Sequence, residues 1–154
     1  MQSHNWYAAL TLTLTLPDIA GKVDTPAGGS NARYAQWFDQ YIKGKYTSEI
    51  GPEHMKHVFL SGNDCYALRC AYLHEGKSEI LLQRSRDVLE DFLFVSPKHG
   101  LFLHCNQNGN RLQLQVDQFC NDILDGISLW LTNIHSDKTK QDALNGQLKI
   151  FEIG

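Results

Sequence analysis

The chain lacks the features that define several large classes of protein. No apolar run approaches the roughly 20 residues that a membrane-spanning helix needs, and no basic segment precedes an apolar one at the N-terminus, so no signal peptide is expected. The net charge is −3, which argues against a protein that coats nucleic acid through a broad basic surface. These absences predict a cytoplasmic protein without membrane attachment, in which phosphate contacts depend on a few local cations.

Metal-binding and phosphate-loop patterns are also missing. The chain contains four cysteines without a C-x2-C pair, at positions 65, 70, 105 and 120. We expect them to be reduced and packed. His54 and His57 are three residues apart, but no carboxylate or cysteine follows at a spacing typical of a metal site. Gly28-Gly29 precedes no GK[ST] sequence, which excludes a Walker-type loop. The sequence therefore predicts neither a metal nor a cofactor.

What is present is an ordinary folded composition. Of 154 residues, 42% are hydrophobic and 20% are charged, a balance typical of globular domains rather than disordered chains. This length suits one hydrophobic core. We expect a single domain over residues 1–154.

The most informative stretch is residues 61–76, SGNDCYALRCAYLHEG, which predicts one short helix. Ser61, Asn63 or Asp64 can cap its start, because each side-chain oxygen can accept an unpaired backbone N–H. Gly76 suits the left-handed position that ends a helix. A buried stripe at helical spacing is predicted for Cys65, Leu68, Ala71 and Tyr72.

Arg69 and His74 lie off this stripe, with four residues between them. The pattern resembles the R-x4-H motif of the HEPN superfamily, small helical domains named for higher eukaryotes and prokaryotes nucleotide-binding. The resemblance implies a mainly α fold, a HEPN-like helical bundle, that forms a homodimer and acts as a metal-independent endoribonuclease. Such domains often belong to toxin–antitoxin or defence systems, so an antitoxin or another protein partner is implied as well.

A second hypothesis from the same resemblance is a non-catalytic dimer that binds a nucleotide, an RNA or a partner protein. The residue after the motif arginine is commonly Asn in the superfamily, whereas this chain has Cys70. That departure and the mildly acidic charge favour the non-catalytic alternative. Both hypotheses therefore stay open at the level of sequence.

The chemistry expected of the pair is RNA cleavage without metal. Histidine can take the 2′-hydroxyl proton because imidazole titrates near neutral pH. Arginine can stabilise charge on the phosphate because its guanidinium donates two parallel hydrogen bonds and stays cationic. The product would carry a 2′,3′-cyclic phosphate. The residues that could support Arg69 and His74 are Asn63, Asp64, Cys70, Tyr72 and Glu75.

Helical geometry limits how the two side chains meet. Five steps along a helix turn about 500°, so Arg69 and His74 point roughly 140° apart. They meet only if the helix ends near His74, or if a second subunit brings its own pair across a two-fold axis. A purely structural alternative pairs Arg69 with Asp64 or Glu75 and His74 with the helix dipole.

The remaining elements follow from periodicity and turn residues. Residues 10–16 alternate like a strand, but helical spacing from residue 6 and the HEPN resemblance favour a helix over 3–16 that Pro17 ends. Residues 17–30 then form a connection, 31–46 a helix with an aromatic stripe, and 47–60 a looser segment with a helical turn near 53–59.

After the motif, residues 77–90 are predicted to be partly helical. Asn108-Gly109 between alternating apolar runs predicts an inserted β-hairpin at about 101–116, with 92–95 as a third strand. A long amphipathic helix is expected over 117–135. The C-terminal tail, 136–154, is polar to residue 147 and then forms a short apolar segment that adds an edge strand or covers the core.

Overall fold

The computed structural model describes residues 5–96, 98 and 100–147. The helices in this part of the chain are α1 (Trp6–Asp24), α2 (Ser30–Tyr41), α3 (Gly62–Glu75), α4 (Val116–Asn133) and α5 (Lys138–Asn145), with a 3-10 turn at Lys43–Tyr46. The strands are β1 (Thr47–Ile50), β2 (Met55–Val58), β3 (Asp91–Val95), β4 (Asn106–Asn108) and β5 (Arg111–Gln115). Of the described residues, 53% are helical and 16% lie in strands.

The prediction of a mainly α, HEPN-like helical bundle with one inserted hairpin is therefore wrong. The described chain is a mixture of helices with two small sheets, a two-stranded sheet β1-β2 and a three-stranded sheet in the order β3-β5-β4. The error arose because the extent of pairing between distant strands is a property of tertiary contacts rather than of local periodicity.

The first sheet replaces the helical turn expected near residues 53–59. Strands β1 and β2 pair antiparallel, with Ile50 opposite Met55. The turn between them contains Gly51 at φ 74° and His54 at φ 50°. Both are left-handed backbone conformations, which end a helix and suit a tight chain reversal. The reversal brings the two short segments together, and their backbone groups are satisfied by pairing.

The second sheet contains the predicted hairpin in a shorter form. Strand β4 pairs antiparallel with β5, and Asn108 lies opposite Arg111, so the two turn residues are Gly109 and Asn110 rather than Asn108-Gly109. Residues 101–105 are not in a strand. The predicted third strand does form, and it lies parallel to β5 with Phe92 opposite Leu112. The sheet packs into the core, since Phe92, Leu112 and Leu114 are all buried.

Helix α1 continues through Pro17, contrary to the prediction that this proline ends it. Pro17 is buried inside the helix. A proline in a helix interior lacks one backbone hydrogen bond and costs about 3 kcal/mol. Leu14 before it and Ala20 after it both lie in the core, and burying apolar residues on both sides of the proline offsets that cost. The connection predicted for residues 17–30 shrinks to residues 25–29.

The other helices follow the sequence more closely. The motif helix and the long helix α4 form close to their predicted bounds, and the aromatic stripe of α2 is buried at Tyr34, Trp37 and Phe38. Residues 77–90 contain no helix, and a fifth helix lies in the polar tail. The apolar segment predicted at 148–153 lies outside the described residues.

Helices α1, α2, α3 and α4 surround one hydrophobic cluster. The approach of α3 to α2 is especially close at Gly62, where an added Cβ would lie 2.6 Å from the Cα of Ala35. Glycine is required there because any side chain would overlap the α2 backbone. In the part of the chain that is described, no helix combines the length and the apolar composition needed to span a membrane.

Candidate functional site

Helix α3 positions the motif residues because both of its ends are fixed. The Ser61 hydroxyl accepts a hydrogen bond from the Asp64 backbone N–H at 3.1 Å, which caps the first turn. Gly76 has φ 67° and ends the helix in the left-handed conformation. The last turn therefore carries His74 at the point where the helix stops.

Arg69 and His74 meet within one chain. The Arg69 Nη1 atom lies 3.4 Å from His74 Nε2. Because a guanidinium can only donate, His74 Nε2 is the acceptor in this contact. The contact corresponds to the first of the two arrangements considered from the sequence, in which the helix ends near His74. His74 is exposed and Arg69 is half-buried, so the contact lies at the protein surface.

Asp18 of α1 holds the arginine. Arg69 Nε donates to Asp18 Oδ2 at 2.8 Å, and the two side chains are 22% and 25% exposed. Partial burial by itself would lower the pKa of Arg69, but the Asp18 carboxylate, with a smaller contribution from Cys70, raises the pKa above the ordinary arginine value. The structural alternative that paired Arg69 with Asp64 or Glu75 is wrong.

Asp18 was not among the residues singled out from the sequence. It is 51 positions away from Arg69 and follows the proline that was expected to end α1. A periodic pattern identifies the faces of one helix, and it does not indicate which residue of a second helix contacts that face. No signal in the sequence joins Asp18 to the motif.

Three supporting candidates lie beside or beyond the pair. Cys70 is half-buried and directly follows Arg69. Tyr72 donates its hydroxyl to the carbonyl of Tyr7 at 3.3 Å, which joins α3 to the first turn of α1. Glu75 accepts hydrogen bonds from Lys77 at 2.9 Å and from Gln83 at 3.4 Å, so its carboxylate is directed to the segment that follows α3.

Asn63 and Asp64 lie at the opposite end of α3 and anchor the segment that follows the helix. The Asp64 carboxylate accepts backbone hydrogen bonds at 2.8 Å from Asp87, 3.2 Å from Val88 and 3.3 Å from Leu89. Asn63 donates to the Asp87 side chain at 3.1 Å. Burial raises the pKa of Asp64. At 1.5 Å per residue, Asp64 is about 15 Å along the helix axis from the motif histidine. Both residues support the fold rather than the motif pair.

A second polar cluster surrounds Asp122 of α4, which is only 4% exposed. Its carboxylate accepts from Lys45 Nζ at 2.9 Å, the Tyr46 hydroxyl at 3.0 Å and Gln118 Nε2 at 3.0 Å. His104 Nε2 lies 3.6 Å from Asp122 Oδ2, and both side chains are buried. Burial alone would raise the pKa of this carboxyl, but His104, followed by Lys45, Tyr46 and Gln118, lowers it to about 2. The cluster joins the 3-10 turn to α4, with Asp122 buried and Lys45 38% exposed.

Helix α1 carries exposed apolar side chains on a face other than the one that contacts α3. Tyr7 and Asp18 of this helix bond to residues of α3, and on an ideal helix Leu12 points more than 100° away from both. Leu12 is 67% exposed, and Ile19, the neighbour of Asp18, is 45% exposed.

Among the residues that the structure describes, no group of three or more His, Cys, Asp or Glu side chains is arranged to hold a metal ion. Comparisons with protein-family models, with curated proteins and with solved structures find no match to this chain. Function is therefore inferred from the chemistry of the chain's own residues.

Proposed function

We propose that the chain is a metal-independent endoribonuclease of HEPN type that cleaves RNA to a 2′,3′-cyclic phosphate and a 5′-hydroxyl. The observation that supports this proposal is the 3.4 Å approach of Arg69 Nη1 to His74 Nε2 in a single chain. A cation that binds phosphate and a base that accepts a proton then lie side by side, as metal-free phosphoryl transfer requires.

Each motif residue has one role in the proposed reaction. When Arg69 donates to the phosphate instead of to His74, Nε2 of His74 takes the proton of the ribose 2′-hydroxyl, and the 2′-oxygen attacks the neighbouring phosphorus. The terminal nitrogens of Arg69 donate to the phosphate oxygens while negative charge increases on them. The bond from phosphorus to the 5′-oxygen breaks, and this oxygen takes a proton. In a homodimer, a second copy of the motif supplies that proton.

Asp18 is the positioning residue of this proposal. It accepts a hydrogen bond from Nε of the guanidinium at 2.8 Å, while Nη1 lies beside His74. A fixed guanidinium loses less conformational entropy when it binds phosphate, so the ion pair preorganises the site.

The proposed active form is a homodimer in the cytoplasm. Leu12, 67% exposed, and Ile19, 45% exposed, lie on one face of α1. A two-fold axis near this face would bury both apolar side chains. A role in a toxin–antitoxin or defence system, with an antitoxin as protein partner, extends the same proposal.

The direct test is incubation of the purified protein with a mixed RNA pool in EDTA, beside Arg69→Ala and His74→Ala variants. Arg84→Ala and His54→Ala are matched controls, because both residues are exposed and lie outside the motif helix. We expect cleavage with cyclic-phosphate ends by the wild type and both controls, and none by the motif variants. Equal cleavage by Arg69→Ala and wild type, with both proteins folded, would refute the assignment.

A second candidate is a non-catalytic module that binds RNA or a nucleotide at the same residues. The Asp18–Arg69 ion pair favours it, because the carboxylate at 2.8 Å partly neutralises the guanidinium. This candidate predicts that RNA binds to the wild type without turnover and that Arg69→Ala removes the binding. Filter binding with intact RNA recovered afterwards separates the two candidates.

A further inference from the structure

A small polar cavity lies between α2, the C-terminal end of α1 and α5. Its volume is about 130 Å³, and its lining includes Asp24, Arg33, Gln36, Trp37 and Lys140. Polar cavities of this size are filled in proteins, whereas stable empty cavities are apolar. This volume is several times the space that one water molecule needs. An occupant of a few heavy atoms fits it.

Two residues of this lining carry buried N–H donors without a partner. Arg33 Nε and Trp37 Nε1 are both buried and form no hydrogen bond. They are four residues apart on α2, so they lie on the same face of the helix. Buried N–H groups in proteins nearly always have a partner, and an orphan donor indicates a water or an ion at the site. Both orphans are donors, so the missing partner is an acceptor.

The charges of the lining also favour an acceptor, and specifically an anion. Lys140 Nζ pairs with Asp24 Oδ1 at 2.8 Å, and Trp130 Nε1 donates to the same oxygen at 3.0 Å. This ion pair neutralises both partners. Arg33 Nη1 donates to the carbonyl of Gly28, and within residues 5–96, 98 and 100–147 no carboxylate pairs with Arg33. One positive charge of the lining is therefore uncompensated.

We propose that this cavity binds a small oxyanion, a phosphate or a carboxylate, through Arg33 and Trp37. The guanidinium supplies charge-assisted hydrogen bonds, and the indole N–H supplies a neutral donor. Lys140 lies at the edge of the cavity on α5, a helix without buried residues. An anion in the cavity would therefore also hold α5 against α2. The site is separate from the Arg69–His74 pair and does not depend on the nuclease proposal.

The test is NMR of the tryptophan indole N–H groups during titration with sodium phosphate or sodium acetate, at ionic strength held constant with sodium chloride. We expect a saturable shift of the Trp37 indole resonance, with that of Trp6 unchanged. The anion with the lower Kd shows whether the site prefers phosphate or carboxylate. Arg33→Gln should weaken the binding roughly tenfold or more, because it removes a charged donor. Lys43→Gln, which removes a cation outside the lining, should bind as the wild type does.

Three further results decide the inference. Arg69→Ala should keep the Trp37 shift, which separates this site from the motif. If Arg33→Gln does not fold, Lys140→Gln is the substitute variant. It leaves the Asp24 carboxylate without its ion-pair partner in the lining, so anion binding should weaken. No saturable shift of the Trp37 resonance with phosphate or acetate, or an equal shift with chloride alone, would overturn the proposal and assign the cavity to water.

Discussion

Replacement of the buried acid Asp122 by asparagine gives a sharp test of the structure. Asparagine has the shape of the protonated acid, so the Asp122→Asn variant reports what the negative charge contributes to folding. His104, Lys45, Tyr46 and Gln118 lower the pKa of Asp122 from the ordinary value of 3.8 to about 2 in the folded protein. A shift of nearly two units corresponds to about 2.5 kcal/mol of folding free energy at neutral pH.

The direction of the pH dependence follows from the sign of this shift. Because the folded pKa is lower than the unfolded one, the unfolded chain takes up the proton first as the pH falls. The charge therefore stabilises the fold above about pH 4, and this contribution is lost between about pH 4 and pH 2. We expect Asp122→Asn to be about 2 kcal/mol less stable than the wild type at pH 7, with the difference almost gone near pH 2.

Urea unfolding at pH 7, 4 and 2.5, followed by circular dichroism, measures the difference. Asp125→Asn is the matched control, because Asp125 pairs with the same Lys45 at 2.6 Å but is 69% exposed. An exposed pair contributes between about 0 and 1 kcal/mol, so the control should stay close to the wild type at every pH. A deficit of Asp122→Asn that stays constant from pH 7 to pH 2.5 would refute the reasoning.

The other predictions concern the helix contacts and the motif. Gly62→Ala should cost about 1–3 kcal/mol because its Cβ would overlap the α2 backbone, whereas Gly44→Ala, with nothing within 4 Å, should be close to neutral in thermal unfolding. Asp64→Ala leaves three backbone N–H groups without their acceptor, so we expect a loss of about 1–3 kcal/mol and faster hydrogen exchange at residues 87–89. Asp18→Asn should change stability by less than about 1 kcal/mol and lower RNA cleavage severalfold by releasing Arg69. Unchanged initial cleavage rates in the Asp18→Asn variant would contradict the positioning role.

For the hairpin and for α1, local sequence patterns predict the wrong boundaries. Gly109 was recognised as a turn residue, but the register that makes Gly109-Asn110 the loop depends on how β5 pairs with both of its neighbours. Pro17 was expected to end α1, because a proline disrupts the local hydrogen-bond pattern of any isolated helix. Core packing on both sides of the proline outweighs that local preference.

The candidate site also has features that follow from the local sequence and features that depend on the fold. The R-x4-H spacing and the helix end at Gly76 are local properties, and they were sufficient to indicate that Arg69 and His74 could meet in one chain. The sequence suggests Asn63 and Asp64 as supporting residues of the motif, but the structure places them at the other end of α3, where they bind residues 87–89. Proximity in sequence is therefore a poor guide to membership of a site.

The sequence by itself determined the helices whose caps and periodicity lie within one segment: α3 between Ser61 and Gly76, the aromatic helix α2, and the amphipathic helix α4. Caps and side-chain periodicity act between residues a few positions apart, so they are visible without the fold. The tertiary structure alone decided the parallel pairing of β3 with β5, the continuation of α1 and the ion pair of Asp18 with Arg69. Those features join residues far apart in the chain, and their free energy arises only when the core has brought the segments together.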